Sequence, residues 1–297
     1  MKIFVTGATG FVGRAVSGEL QRRGHHVTGL ARSRDSAEKL AKTGIGIHTG
    51  DISDPATIVP VLNDVDAVVH TAFDHDFSRY ADNCAADGRL LEAVVRHLEG
   101  TDKILLATSA TVVTGDDTVT TEHDVAVDHV PRSASEAFLE FSHRGVRTNI
   151  VRLPPTVHGF GDSAFIPAMI AKARESGLSA YMGDGANRWP AVHRMDAARL
   201  FCDAVEQARS GVRYHAVAEP GIAFRTIAEA IGEGLGFPVE SLSTERAEDH
   251  FGWLAMFAGL DNPTSSDWTR ETTGWEPREK SLLEDLETGG YFNPPHH

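Results

Sequence analysis

Basic side chains are in deficit: 28 Lys and Arg stand against 42 Asp and Glu, a formal net charge of −14 over 297 residues. That balance repels phosphate backbones and anionic lipid, which excludes non-specific nucleic-acid binding and argues against a membrane-surface partner. Cysteine is nearly absent. Cys84 and Cys202 lie in separate helix-like segments, so two small buried thiols are expected rather than a disulfide framework. No segment approaches the ~18 consecutive apolar residues of a transmembrane helix. The opening MKIFVTGATG enters a strand and a glycine turn without the roughly 7 to 15 apolar residues of a secretory signal. A soluble, cytoplasmic protein is therefore expected. The histidines show neither His-x-His nor His-Glu-x-x-His spacing, so no metal site is expected, and two of them belong to the closing PPHH.

What the chain does contain is an alternation. The apolar runs KIFVT, HVTGL, IGIH, AVVH, KILLAT and TNIVRL are separated by helix-length periodic segments, the pattern of βαβ units and a parallel sheet. Asp54-Pro55 adds a capping carboxylate followed by a proline suited to a first helical position. After Leu153 the rhythm changes at PPT and the turn-rich VHGFGD, and an amphipathic stretch begins near Ala164. The expectation is an α/β protein: a Rossmann-type doubly wound sheet over residues 1–153 with return elements around 190–220. A smaller substrate-binding lobe would be built from 154–189 and 221–297. In that lobe Phe224, Ile227, Ala228, Ile231 and Leu235 mark a helical face, and Trp253, Trp268 and Trp275 are expected as lobe core.

Between the first strand and first helix, IFVTGATGFVGRAV places Gly7, Gly10 and Gly13 with Thr9, Phe11 and Val12. Glycines there let a dinucleotide pyrophosphate approach the backbone N–H groups at a positive helix end. The second strand ends in Ala31-Arg32-Ser33-Arg34 rather than the acidic residue that meets a free ribose 2′-hydroxyl. Two guanidiniums and a hydroxyl suit a 2′-phosphate, so NADP is expected, with Arg32 as main contact and NAD as the alternative. Asp35 opposes that preference if it reaches the ribose.

Together with these, GDISDP at 50–55, AVVHTA at 67–72, ATSATVVTGD at 107–116, RLPPTVHGFGD at 152–162 and WPAVHRMDAA at 189–198 make the chain resemble the extended short-chain dehydrogenases of the NAD-dependent epimerase/dehydratase family. The resemblance covers about residues 1 to 220, and TRETTGWEPR is similar to the family's C-terminal helix and turn. It implies that Asp51 and Ile52 flank the adenine, that Thr71, Ala72 and Thr108 line the cofactor, and that Pro154, Pro155 and Thr156 lie near the nicotinamide. Ser109 matches the substrate-orienting hydroxyl.

The chain departs from the family where catalysis is concentrated. Such enzymes carry a Tyr-x-x-x-Lys, the ammonium lowering the phenol pKa so that it passes a proton as hydride moves. Here the frame reads PRSASE, with Arg132 in the tyrosine's place and Glu136 in the lysine's, and residues 104–171 contain neither tyrosine nor lysine. As structure, Ser133 and Glu136 read as a capping box, with Ala134, Ala137, Phe138 and Phe141 on a buried helical face. Arg132 divides evenly between a functional residue and a surface charge. The catalytic set is thus Ser109, Arg132, Glu136 and His158, with His193, the Asp74-His75-Asp76 cluster or a water on Ser109 as other proton sources. The expected function is NADP(H)-dependent oxidoreduction of a small organic substrate. The alternatives are an NADP(H)-binding regulator without turnover and, less favoured, a sugar-nucleotide epimerase, for which Arg188 is the one visible diphosphate clamp. The segment from Arg79 to His97, with Leu91, Val94, Val95 and Leu98, fits either the face on which a homodimer would form or an intramolecular core face.

Overall fold

The computed structural model describes residues 1–114 and 119–293. The end of the ATSATVVTGD landmark and the closing PPHH lie outside the described residues. In chain order the elements are β1 (Lys2–Thr6), α1 (Phe11–Arg22), β2 (His26–Ala31), α2 (Arg34–Ala41), β3 (Gly46–Thr49), α3 (Val59–Leu62), β4 (Ala67–His70), α4 (Tyr80–Leu98), β5 (Ile104–Ala110), a 3₁₀ segment (Pro131–His143), β6 (Arg147–Leu153) and β7 (Thr156–His158). There follow α5 (Phe165–Ser176), β8 (Ser179–Met182), β9 (Arg188–His193), α6 (Arg194–Gln207), β10 (Val212–His215), β11 (Glu219–Ala223), α7 (Phe224–Leu235), β12 (Val239–Leu242), α8 (Thr244–Phe251), α9 (Ala255–Ala258), α10 (Asp267–Thr273) and α11 (Leu282–Thr288).

Seven strands form one sheet in the order β10-β6-β5-β4-β1-β2-β3. All its pairings are parallel. The six apolar runs become its first six strands. The seventh, β10, came without a sequence expectation of its own, because VRYH is short and half polar. The chain winds outward from β1 in both directions, so the crevice between β1 and β4, at the C-terminal strand ends, is where such a sheet binds ligand.

Each sheet face has its own apolar layer. Val16 and Leu20 of α1 pack with Leu200, Phe201 and Val205 of α6 on one side. Leu90, Leu91, Val94 and Val95 of α4 pack with Phe138, Leu139 and Phe141 on the other. The α4 face proposed for a homodimer is therefore occupied within the protomer. A third layer joins Ile166, Ile170, Trp189, Phe224, Ile227 and Ile231 beneath the small β11-β9-β7 and β12-β8 sheets.

The tryptophan expectation needs correcting. Trp275 and Trp268 pack with the main-sheet layer rather than the lobe core, and Trp253 is 41% exposed. No helix among the described residues is long and apolar enough to cross a membrane.

Candidate active site

Gly7 turns the chain after β1 at φ +70°, a conformation only glycine adopts without cost. A Cβ there would lie 2.7 Å from the Ala72 nitrogen, and one at Gly13 would lie 2.1 Å from the Gly7 carbonyl oxygen. These two glycines therefore set how closely α1 and the β4 end pack. Gly10 differs: a Cβ there would meet only the Gly7 carbonyl oxygen at 3.1 Å. It is exposed at the start of α1, which has no side-chain cap. An uncapped helix end beside an open backbone fits a dinucleotide pyrophosphate. Thr71 Oγ1 donates to the Thr6 carbonyl at 2.7 Å and tightens this corner from below.

At the end of β2 the expected residues part company. The Ser33 hydroxyl is the N-cap of α2, accepting from the Ser36 N–H at 3.2 Å, and Arg34 pairs with Glu38. Both side chains are engaged locally rather than gathered into a phosphate site. Asp35 pairs with Lys39 at 2.7 Å, turned along its own helix. Arg32 is exposed and has no ion-pair partner among the described residues. Asp51 holds the next strand end, its carboxylate accepting from the N–H and hydroxyl of Ser53, which keep its pKa below the usual range. Ile52 packs beside the α4 layer. Asp54 caps a single 3₁₀ turn by accepting from the Ala56 N–H, with Pro55 at its start.

Ser109 lies near the end of β5, 2% exposed, and its Oγ has no hydrogen-bond partner among the described residues. An orphaned buried hydroxyl is uncommon unless a ligand completes it. Arg132 reaches this strand end: its guanidinium donates to the Thr108 carbonyl at 2.8 Å and to Asp87 at 2.9 Å. It lies over the Phe73 ring, 4.1 Å from the centroid. The same Asp87 accepts from Ser135 at 2.7 Å and pairs with His70 at 2.7 Å, while His70 meets the Thr6 hydroxyl at 2.8 Å. Burial alone would raise the Asp87 carboxyl, but His70 and Arg132 override it and hold its pKa at about 2. Arg132, 5% exposed, is thus no surface charge.

The capping box is not formed. The first residue before the Pro131–His143 segment makes no side-chain cap, and Ala137 is exposed. This segment winds with a period of 3.0, so Arg132, Ser135, Phe138 and Phe141 share the buried face that a 3.6 period had assigned to Ala134 and Ala137. Proline and a run of small polar residues weaken the α-helix here. Glu136, 5% exposed, accepts two hydrogen bonds at 2.8 Å from Arg152 and one at 2.9 Å from Arg213. It is a structural anion close to Ser109, whose hydroxyl is the least of the influences that, with Arg152 and Arg213, lower its pKa.

Other expected residues are also engaged. The Thr156 hydroxyl donates to the Pro190 carbonyl and Thr108 Oγ1 to the His70 carbonyl. Pro154 is buried and Pro155 half-buried between β6 and β7. His158 is 0% exposed in the lobe, its Nδ1 3.0 Å from Asp285. Burial lowers its pKa against the opposing pull of Asp285. Its neighbour is His193, ring centroids 5.4 Å apart, and farther along the loop Asp162 accepts from Tyr291, its carboxyl pushed up by burial to about 6. Among the described residues no hydrogen bond or ion pair links this group to Ser109 or Arg132. Asp87, His70 and Phe73 were missed in the sequence. Their signal was a buried acid in an apolar helix face and a histidine ending a hydrophobic strand, each of which needs a partner that only the fold supplies.

The model of the NAD dependent epimerase/dehydratase family matches residues 3–218. An uncharacterized protein of Schizosaccharomyces pombe is 46% identical over 295 residues, 98% of this chain and 100% of its own. A 2-alkyl-3-oxoalkanoate reductase of Stenotrophomonas maltophilia is 30% identical over 206 residues, 63% of this chain and 60% of the reductase. The solved structure of a dTDP-glucose 4,6-dehydratase from Streptomyces venezuelae, with NAD bound, superposes with a TM-score of 0.76 at 20% identity, covering 98% and 97% of the two chains.

Proposed function

The chain belongs to the NAD-dependent epimerase/dehydratase family, and on that premise we propose that it is an NADPH-dependent reductase of a small carbonyl compound, working without the Tyr-Lys pair. The observation that carries this reading is the orphaned Ser109 hydroxyl at a strand end where Arg132 is anchored through the neighbouring Thr108 carbonyl. The glycine loop and the α1 N-terminus would hold the pyrophosphate of NADPH, which when bound would supply the hydride that reduces the carbonyl carbon. Ser109 donates to the substrate oxygen and orients it, and the Arg132 guanidinium stabilises the negative charge that develops there. Arginine keeps its proton at neutral pH, so protonation of that oxygen falls to another group. We assign it to His75, whose ring lies 5.2 Å from the same Phe73 ring that Arg132 covers. The products are the alcohol and NADP⁺. The reductase named above supports carbonyl reduction as the reaction class.

His75 keeps solvent contact at the edge of this ring group, and its partial burial together with the Arg132 charge lowers its pKa. The protonated form is the acid, so turnover should rise as pH falls through that depressed pKa. The pH–rate profile of His75→Ala should lose this limb, and His158→Ala should keep it. A profile unchanged in His75→Ala removes that assignment.

Arg32 carries the cofactor preference. Calorimetric titration should show NADPH binding more tightly than NADH, and Arg32→Ala should weaken NADPH by about 10- to 100-fold, the worth of one charge-assisted hydrogen-bond pair, with NADH little changed. Equal wild-type affinities would remove the preference. The regulator reading is favoured by one feature, the ion pairs that stand at both positions of the missing catalytic pair. The deciding experiment is NADPH oxidation against a panel of carbonyl compounds: turnover supports the reductase, and tight binding with no oxidation by any of them supports the regulator.

A further inference from the structure

We infer that the carbonyl substrate is a neutral aromatic compound, admitted along a run of aromatic rings that leads from Arg132 to the surface; this rests on the reductase reading above. The run starts at Phe73, beneath the Arg132 guanidinium. Phe73 packs edge-on to His75 at 5.2 Å and to Tyr80 at 6.4 Å between ring centroids. Both contact Phe77, at 6.1 and 5.8 Å. Phe77 then crosses to the lobe, where it lies parallel to Trp253 with centroids 4.5 Å apart and planes 3° from parallel. It also meets Phe165 at 5.7 Å and Phe257 at 5.5 Å. Trp253 closes the series at 41% exposure, beside the exposed Met256.

These rings come from two separate stretches, the segment after β4 and the lobe elements around α5 and α9. They meet where the segment after β4 packs against the lobe. Large apolar side chains left exposed together, as Trp253 and Met256 are, mark a binding surface, and ring faces and edges offer a flat aromatic guest the offset and T-shaped packing it prefers. Charge points the same way. Arg188 is held by Asp261 through two contacts at 3.0 and 2.7 Å, and Arg132 by Asp87. A substrate diphosphate would have to displace a carboxylate from either one. An uncharged ring with a carbonyl meets no such competition, and only its oxygen needs Ser109 and Arg132.

The experiment is a fluorescence and calorimetric titration of the full chain, preloaded with NADP⁺ so that no turnover occurs, using 2-naphthaldehyde, decanal and UDP-glucose. The expected result is binding of 2-naphthaldehyde with quenched tryptophan emission, at least ten-fold tighter than decanal or UDP-glucose. Trp253→Ala, a partly exposed position that leaves the core intact, should weaken 2-naphthaldehyde about ten-fold. Phe77→Leu, which keeps bulk but removes the ring, should do the same. Equal affinities for naphthaldehyde and decanal, tighter UDP-glucose binding, or indifference to both variants would overturn the inference. Naphthaldehyde binding without NADPH oxidation would instead remove the reductase reading and leave the aromatic site standing. Oxidation of NADPH by aliphatic carbonyls alone would do the reverse.

Discussion

Replacing Glu136 with alanine is expected to lower folding stability by about 3–5 kcal/mol, the usual cost of removing one partner from a buried ion pair. The carboxylate satisfies Arg152, which is 0% exposed, through two hydrogen bonds and Arg213 through a third. Arg152 also lies 3.3 Å from His215 Nε2. Without Glu136 a fully buried guanidinium faces a buried imidazole, and the remaining anion near both is the more exposed Asp124. Glu136→Gln keeps the shape and should fall between the two. Glu136→Lys, which installs the residue type the family resemblance calls for, adds a third cation and should be the least stable. The pH dependence follows from the same residues. Burial opposes the Glu136 anion, yet Arg152 and Arg213 prevail and its pKa is lowered from 4.5. Burial and the Arg152 charge push His215 down from 6.5 to about 4. Both groups have depressed folded pKa values, so the stability they contribute is complete above pH 6.5. It is lost as pH falls, first as unfolded chains take up His215 protons between 6.5 and about 4, then as Glu136 protonates below 4.5. Thermal unfolding of wild type and Glu136→Ala from pH 8 to 4 checks both points. A variant as stable as wild type would mean the carboxylate is not the anchor of that site.

The sheet was legible because its inner strands, covered on both faces, must read as apolar runs, with β3 an exposed edge strand, and helix-length spacers between them leave parallel crossover as the short connection. The glycine loop was legible for a similarly local reason. Gly7 and Gly13 are dictated by a turn and a close helix approach within thirteen residues. The Pro131–His143 segment was misread because its period depends on what it packs against: Arg132 and Ser135 are drawn inward by Asp87 of α4, and Glu136 by Arg152 of β6. None of these partners is near in sequence. The α4 spacing fitted either a dimer or an internal core, and in the fold Phe138 and Phe141 cover those side chains. Ser33 and Arg34 were assigned to the cofactor by their chemistry and Thr156 by resemblance, and their side chains also bond within their own turn or to the adjacent strand. Residue type and spacing show where a ligand could bind; they do not show which side chains the fold has already engaged.

Arg132→Met should lower kcat/KM for carbonyl reduction by about 10²- to 10³-fold, the range for loss of one preorganised donor to a developing oxyanion, while NADPH affinity changes by only a few fold. Methionine retains an unbranched apolar stem over Phe73, so the loss is of charge and hydrogen bonds rather than of packing. Asp87 then remains buried with His70 and Ser135 as partners, which limits the cost in stability and can be followed by thermal unfolding. Arg132→Lys should recover little. A single ammonium cannot hold Asp87 and the Thr108 carbonyl on one side and present a planar face to Phe73 on the other. Arg132→Tyr tests the remaining question. In the family frame a tyrosine there needs a cation four residues on, and this chain has Glu136 in that place, bound to Arg152. A phenol at 132 would thus stand beside an anion that disfavours its ionisation, so activity should be no better than in Arg132→Met. Recovery of reduction in Arg132→Tyr would show that the chain still carries the ordinary proton-relay geometry, and the guanidinium mechanism would have to be abandoned.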